Sequence, residues 1–192
     1  MEQKMKPKTG ASLSSGPREI LRTQRLRLRE MTEEDLPALA KIMQDPVAME
    51  AYEKTYSDQQ ILEWIGRNVR RYRQDGCGLW AAELLESGQV IGQCGLARQT
   101  IDGFSFWETG YLFQRAFWGR GYATEAARAC RDYAFSQLGA SAVYSIVKPS
   151  NLASQKVARR CGMTPEREVL YNNSLKDRRH LLFKVEKGEP SL

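Results

Sequence analysis

Apolar residues recur along the chain with two periods, and the switches between them lay out the elements. Over 20–31, Leu26 and Leu28 alternate with Arg25, Arg27 and Arg29, which predicts a half-buried strand with a wet arginine face. Thr32-Glu33-Glu34-Asp35 has the form of a capped helix start, and that helix is expected to run to about Asp45 before Pro46 stops it. Ser57-Asp58-Gln59-Gln60 is a second start. Its helix carries Ile61, Ile65, Val69 and Tyr72 on one face and should end near Gly76. Period two returns over 79–85 and 90–96, joined by Glu86-Ser87-Gly88-Gln89 as a hairpin, and again over 105–113. A helix follows with Ala123, Ala127, Cys130, Ala134 and Leu138 inward and Gly139 as its stop. Then come a strand at 142–147, a short helix opened by Asn151 and closed by Gly162, and a hairpin from 169–171 and 180–185. The order β-α-α-β-β-β-α-β-α-β-β predicts an α/β (α+β) fold. It implies a central mixed, mostly antiparallel sheet of about seven strands with four helices packed on it.

Residues 1–18 are rich in Lys, Ser, Gly and Pro without periodicity, so a flexible leader is expected there and one domain over 19–188. No apolar run approaches the ~20 residues needed to span a bilayer, and Met1–Lys8 lack the apolar core of a secretory signal. A cytoplasmic protein is the default expectation. Cys77, Cys94, Cys130 and Cys161 form no C-x-x-C pair and read as buried small hydrophobes, and His180 is the only histidine; no metal site is expected. The net charge of +6 suits an anionic ligand or weak nucleic-acid contact. The arginine-bearing helix after Ser57 lacks a helix-turn-helix pattern and interleaved aromatics, which ranks a nucleic-acid role last.

The densest candidate chemistry lies in Trp118-Gly119-Arg120-Gly121-Tyr122-Ala123-Thr124-Glu125-Ala126. A strand running through Gly-x-Gly into a helix leaves main-chain N–H groups unpaired at the helix start, where the helix dipole favours a phosphate or pyrophosphate. There is no G-x-x-x-x-G-K-[ST], and a dinucleotide fingerprint would need a small residue at Thr124, so neither ATP nor NAD is the expected anion.

Glu108-Thr109-Gly110-Tyr111, then the loop from Trp118 to Ala126, then Asn151-x-x-Ser154 with Gly162-Met163 follow one another along the chain. In this order the three runs closely resemble the GNAT superfamily of N-acetyltransferases. Arg25-Leu26-Arg27-Leu28-Arg29 with Asp35 is similar to its ribosomal-protein-acetylating, RimJ/RimL-type branch. The resemblance spans about 20–186. It implies acetyl-CoA bound where two parallel strands splay, with the end of the 105–113 strand, at Leu112 and Phe113, pairing with the pantetheine arm. Trp118, Gly119, Arg120, Gly121, Tyr122 and Ala123 would seat the pyrophosphate on main-chain N–H groups. Arg120 would add charge or lie free on the surface, and Thr124 would touch the cofactor or cap the helix. One departure is Ala116, where the superfamily often has Gln or Arg.

Acetyl transfer needs an unprotonated amine, a polarised thioester carbonyl and a proton for the leaving thiolate. Glu108 is the expected base, with a half-exposed strand carboxylate as the competing reading. Ala158 stands where many members have a tyrosine acid. Ser154 is the substitute and Tyr111 the weaker option, while Asn151 and Ser154 could equally cap their helix or hold pantetheine. Without a recognisable cysteine nucleophile, direct attack in a ternary complex is expected. The acceptor is an amine: a protein N-terminal α-amine, or alternatively a polyamine or amino-sugar antibiotic. Loops 46–58 and 171–179 are expected to contact it. A non-catalytic coenzyme A-binding module is the reading from another class. No membrane or specific nucleic-acid partner is expected, and a homodimer is plausible.

Overall fold

The computed structural model describes residues 16–171 and 178–188. Among these, eight strands form one sheet in the order β1-β2-β3-β4-β5-β6-β8-β7. They are β1 (Glu19–Arg22), β2 (Leu26–Arg29), β3 (Leu79–Leu84), β4 (Val90–Ile101), β5 (Phe104–Phe113), β6 (Ala142–Val147), β7 (Thr164–Leu170) and β8 (Arg179–Glu186). The helices are α1 (Leu36–Met43), α2 (Asp58–Gln74), α3 (Tyr122–Gln137) and α4 (Leu152–Arg160). Every neighbouring pair is antiparallel except β5 and β6.

The sheet has one strand more than the pattern suggested because the first segment breaks in two. Thr23 accepts the Leu26 N–H on its hydroxyl at 3.0 Å and donates its own N–H to the Leu26 carbonyl at 2.8 Å, which closes a tight turn. The first helix likewise divides into a 3-10 turn, Glu33–Asp35, and α1, with Pro37 in the opening turn of α1. β7 is longer than expected. Its side chains are exposed except Val169, so no alternation announces it, and pairing with β8 holds it at the sheet edge. The α2 start is as expected: Ser57 and Gln60 exchange hydrogen bonds at 3.3 and 2.9 Å.

One face of the sheet packs α3 and α4 around Trp80, Leu96, Cys130, Val143 and Phe183. The other packs α1 and α2 around Leu39, Ile42, Ile61 and Ile65. Each such side chain contributes roughly 1.5–3 kcal/mol by leaving water. All four cysteines are buried and free, filling core as small hydrophobes do.

The expected wet arginine face is partly overturned. Arg29 is buried and bonds both Asp35 oxygens at 2.9 and 2.7 Å and Glu83 at 2.9 Å, while Arg27 reaches Glu83 at 2.6 Å. Asp35 also accepts the Thr32 N–H at 2.9 Å, so one carboxylate ties the first helical turn to the sheet. Alternation alone could not show this, because both acids lie far away or around a corner in sequence.

Candidate active site

β5 and β6 share two parallel rungs, Trp107 with Val143 and Glu108 with Tyr144, and then part. Main-chain groups along a paired strand point alternately to its two sides. The Thr109 carbonyl accepts from Ser145 Oγ across the gap at 3.1 Å, whereas the Gln114 N–H goes to Ile91 at 2.9 Å. Thr109, Tyr111 and Phe113 therefore turn their main chain into the opening between the strands, and Gly110 and Leu112 turn theirs to β4. Of the two positions expected to meet a pantetheine arm, Phe113 faces the opening and Leu112 pairs with Gln93 on the other side. The Thr109 hydroxyl is buried without a hydrogen-bond partner among the described residues. An orphaned hydroxyl and an unpaired strand edge suit a ligand carrying amides.

The chain leaves β5 through a 3-10 turn, Arg115–Phe117, and enters α3 by way of Gly119 and Gly121. Their φ angles, +75° and +83°, lie in the left-handed region, so the turn itself calls for glycine whether or not a ligand approaches. Gly121 is the N-cap and α3 carries no side-chain cap, so the first N–H groups of the helix are free to meet an anion; Thr124, inside the first turn, is not the cap. The Trp118 N–H is already used by the Arg115 carbonyl at 3.1 Å, and its indole donates to the Phe113 carbonyl at 2.8 Å. This narrows the expected main-chain seat to the residues from Gly119 onward. The Arg120 guanidinium lies over the Phe117 ring.

A latch that the sequence did not reveal fixes this loop. Arg25 donates to the Arg120 carbonyl at 2.9 Å, pairs with Glu125 at 2.6 Å and stacks 4.3 Å from the Tyr122 ring centroid. Glu125 also accepts from Thr23 Oγ1 at 2.6 Å and the Arg25 N–H at 2.8 Å. Burial pushes the Glu125 carboxyl up, but these hydrogen bonds and the Arg25 charge outweigh it and hold the group below its usual range. The β1–β2 turn thus grips the first turn of α3.

On the α1/α2 side of the opening sits Glu108, half-buried on its strand as the competing reading expected. Its carboxylate accepts from Gln99 Nε2 at 2.6 Å and from the Ile146 main chain, whose N–H no longer reaches a β5 carbonyl once the strands part. Burial pushes the Glu108 carboxyl up to about 7, against the opposing pull of those hydrogen bonds and of the Arg71 charge. Two tyrosines share this environment. Burial and then Glu108 raise Tyr52 well above the phenol range, and the same pair of causes takes Tyr171 to about 12. Tyr52 comes from the 46–58 loop and Tyr171 opens the 171–179 loop, the two segments expected to contact an acceptor; residues 172–177 lie outside the described residues. Beside them a cleft of about 300 Å³ is lined by Glu53, Lys148, Pro149, Ser150, Glu168 and Arg179, with Lys148 bonded to Glu53 at 2.6 Å. Nothing in the sequence pattern singled out Tyr52 or Gln99, and the arginine cluster Arg67, Arg70, Arg71 and Arg73 reads in sequence as a solvated helix face, from which Arg71 departs by being half-buried.

On the opposite face, the Tyr111 hydroxyl meets Ser154, with 2.8 Å to Oγ and 3.0 Å to the carbonyl. The Asn151 side chain accepts the Ser154 N–H at 3.0 Å, so Asn151 caps α4. Ser154 and Tyr111, which the sequence could only name separately, form one hydroxyl pair at the α4 start. Burial raises the Tyr111 phenol far above its usual range, so it stays protonated at neutral pH. His180 is buried in β8 against the Arg178 carbonyl, a structural position. Among the described residues no cluster could hold a metal ion, and no helix is long and apolar enough to cross a membrane.

The parted parallel strand pair and the uncapped helix start leave main-chain groups open to a ligand that carries amides and phosphate. Residues 25–164 match the acetyltransferase (GNAT) domain family, and the chain belongs to it. It is 40% identical over 142 residues to the uncharacterized protein YkkB of Bacillus subtilis (strain 168), covering 73% of this chain and 83% of that one. The acetyltransferase of Agrobacterium tumefaciens str. C58 superposes with a TM-score of 0.73 at 29% identity, over 94% of this chain and 100% of that one. RimL, a ribosomal L7/L12 alpha-N-protein acetyltransferase solved with coenzyme A, shares the fold at a TM-score of 0.70 and 17% identity, over 88% of this chain and 98% of that one.

Proposed function

We propose that this acetyltransferase moves an acetyl group from acetyl-CoA to a protein N-terminal α-amine by direct attack in a ternary complex, in the manner of the RimJ/RimL-type branch. The donor supplies an activated acetyl thioester. The residues that would hold it are the Thr109, Tyr111 and Phe113 main chain along the opening, and the Gly119–Ala123 main chain at the start of α3.

Glu108 carries the reading. A carboxyl titrating at about 7 is ionised in a large fraction of molecules at neutral pH, yet basic enough to take a proton from an ammonium through water. It sits at the rung where the strands part, between the opening and the two tyrosine-bearing loops. On the far side, Tyr111 and Ser154 present hydroxyls that can return a proton to the departing thiolate. α4 has Ala158 rather than its own tyrosine, and the strand delivers the phenol to the helix instead. Support for the N-terminal acceptor is the branch resemblance and the fold shared with an alpha-N-protein acetyltransferase.

The test is transfer itself: purified protein with acetyl-CoA and a panel of N-terminal peptides, lysine-containing blocked peptides, polyamines and amino sugars, read by mass spectrometry. Acetylated peptide N-termini are the expected product. Transfer confined to small amines would overturn the acceptor assignment, and acetyl-CoA binding with no transfer to any amine would make the chain a binding module.

A further inference from the structure

Among the described residues, three inward-facing cations around this site have carboxylate partners. Arg25 has Glu125, Arg29 has Asp35 and Glu83, and Lys148 has Glu53. Arg71 is half-buried, and its guanidinium has no hydrogen-bond or ion-pair partner among the described residues. Its placement follows from α2. Positions 64, 68 and 71 recur at i, i+4 and i+7 and share one stripe. The Trp64 indole donates to Gln93 of β4 at 2.8 Å, and the Asn68 side chain accepts the Leu79 N–H of β3 at 2.9 Å, so this stripe lies on the sheet. Arg71 continues it toward the end of β4 that carries Gln99, the Glu108 partner, and its charge acts on both Glu108 and Tyr171.

A guanidinium partly withdrawn from water without an anion is costly, and a ligand carboxylate relieves that cost through charge-assisted, often bidentate hydrogen bonds. Tyr52, Tyr171 and Gln99 beside it are neutral, Glu108 is the base of the proposed reaction, and Lys148 of the adjoining cleft is paired with Glu53. Arg71 is therefore a position where an acceptor's negative charge can be met.

We infer that the acceptor carries a carboxylate as well as the reacting amine, and that Arg71 anchors that carboxylate while Glu108 addresses the amine. The inference rests on the transferase reading. Two sources share this chemistry: an acidic side chain beside a polypeptide N-terminus, and the carboxylate of a free amino acid.

The experiment compares kcat/KM for matched acceptors: peptides with Asp or Asn at the second position, and free amino acids against their amides. Each pair is measured with the parent, Arg71→Gln and Arg71→Lys. In the parent, the carboxylate member of at least one pair should be favoured by about tenfold or more, the strength of one hydrogen bond to a charged group. The pair that shows it identifies the source. The preference should fall to about one in Arg71→Gln and return in part in Arg71→Lys, with the thermal shift on acetyl-CoA unchanged. Transfer to acceptors without charge preference in the parent overturns the inference and leaves the transferase reading standing, and this arm does not depend on any variant folding. Equal losses for charged and neutral acceptors in Arg71→Gln, with a displaced acidic limb of the rate profile, would assign Arg71 to Glu108 instead and also overturn it. Failure to acetylate any amine overturns both readings.

Discussion

At the scale of single residues, Glu108 concentrates the consequences of burial. Its carboxyl is pushed up to about 7 from an ordinary 4.5, so it should act as a base only as pH rises through about 7. The rate is expected to climb over that interval. Glu108→Gln should lower turnover ~10²-fold and remove the climb, while leaving acetyl-CoA affinity unchanged. Near-parent turnover across the interval would make Glu108 structural. The same shift has a stability side with a definite sign. Between about 4.5 and about 7 the native state holds a proton that the unfolded state has lost, so this group's contribution to stability falls as pH rises through that window. Glu108→Gln should therefore raise the melting temperature more at pH 8 than at pH 5. An equal change at both pH values would show that burial does not disfavour the charge.

At the scale of elements, the segment from β5 through the glycine loop into α3 is held from outside. Gly121 has a left-handed φ, so Gly121→Ala should destabilise the free protein by about 1–2 kcal/mol whatever it does to the ligand, and cannot isolate binding. Glu125→Gln is cleaner, because it loosens the Arg25 latch without altering a residue of left-handed φ. It should weaken acetyl-CoA binding by about tenfold in calorimetry, with only a modest loss of melting temperature. Unchanged affinity would mean that the loop holds its shape without the latch. This contrast also shows what could be read from the chain beforehand. Elements with their own period and caps, such as α2 with its Ser57–Gln60 box or β6 with its apolar run, were legible residue by residue. The Gly-x-Gly loop and Glu108 were legible as motifs. Arg25–Glu125 and Arg29–Glu83 were not, because ion pairs joining residues 100 and 54 positions apart leave no local pattern. Tyr52, Arg71 and Gln99 were hidden for the same reason: folding alone brings a loop, a helix and a strand end to one carboxylate. β7 was missed in its first half because an exposed edge strand needs no alternation.

At the scale of the whole molecule, the sheet has a seam. β4 and β5 pair over ten positions and β6 and β8 over six, but β5 and β6 over two. Ser145 to Thr109, Ile146 to Glu108, Tyr111 to Ser154 and Lys148 to Glu53 are among the polar links across it. A ligand lying along the seam would supply the hydrogen bonds that a longer parallel pairing would have made, and so act as a splint between the two parts of the sheet. Saturation at a hundredfold excess over Kd adds about 2.7 kcal/mol to stability by mass action alone, wherever the ligand binds. Location is what distinguishes the splint, and amide hydrogen exchange reads it residue by residue. Acetyl-CoA should slow exchange at Thr109, Tyr111 and Phe113, whose main chain faces the opening. It should change Gly110, Leu112 and Gln114 far less, since those positions already bond to β4. The amides at the start of α3 should slow together with the first set. Equal slowing of both sets, or none at the three odd-numbered positions, would place the ligand elsewhere than in the seam.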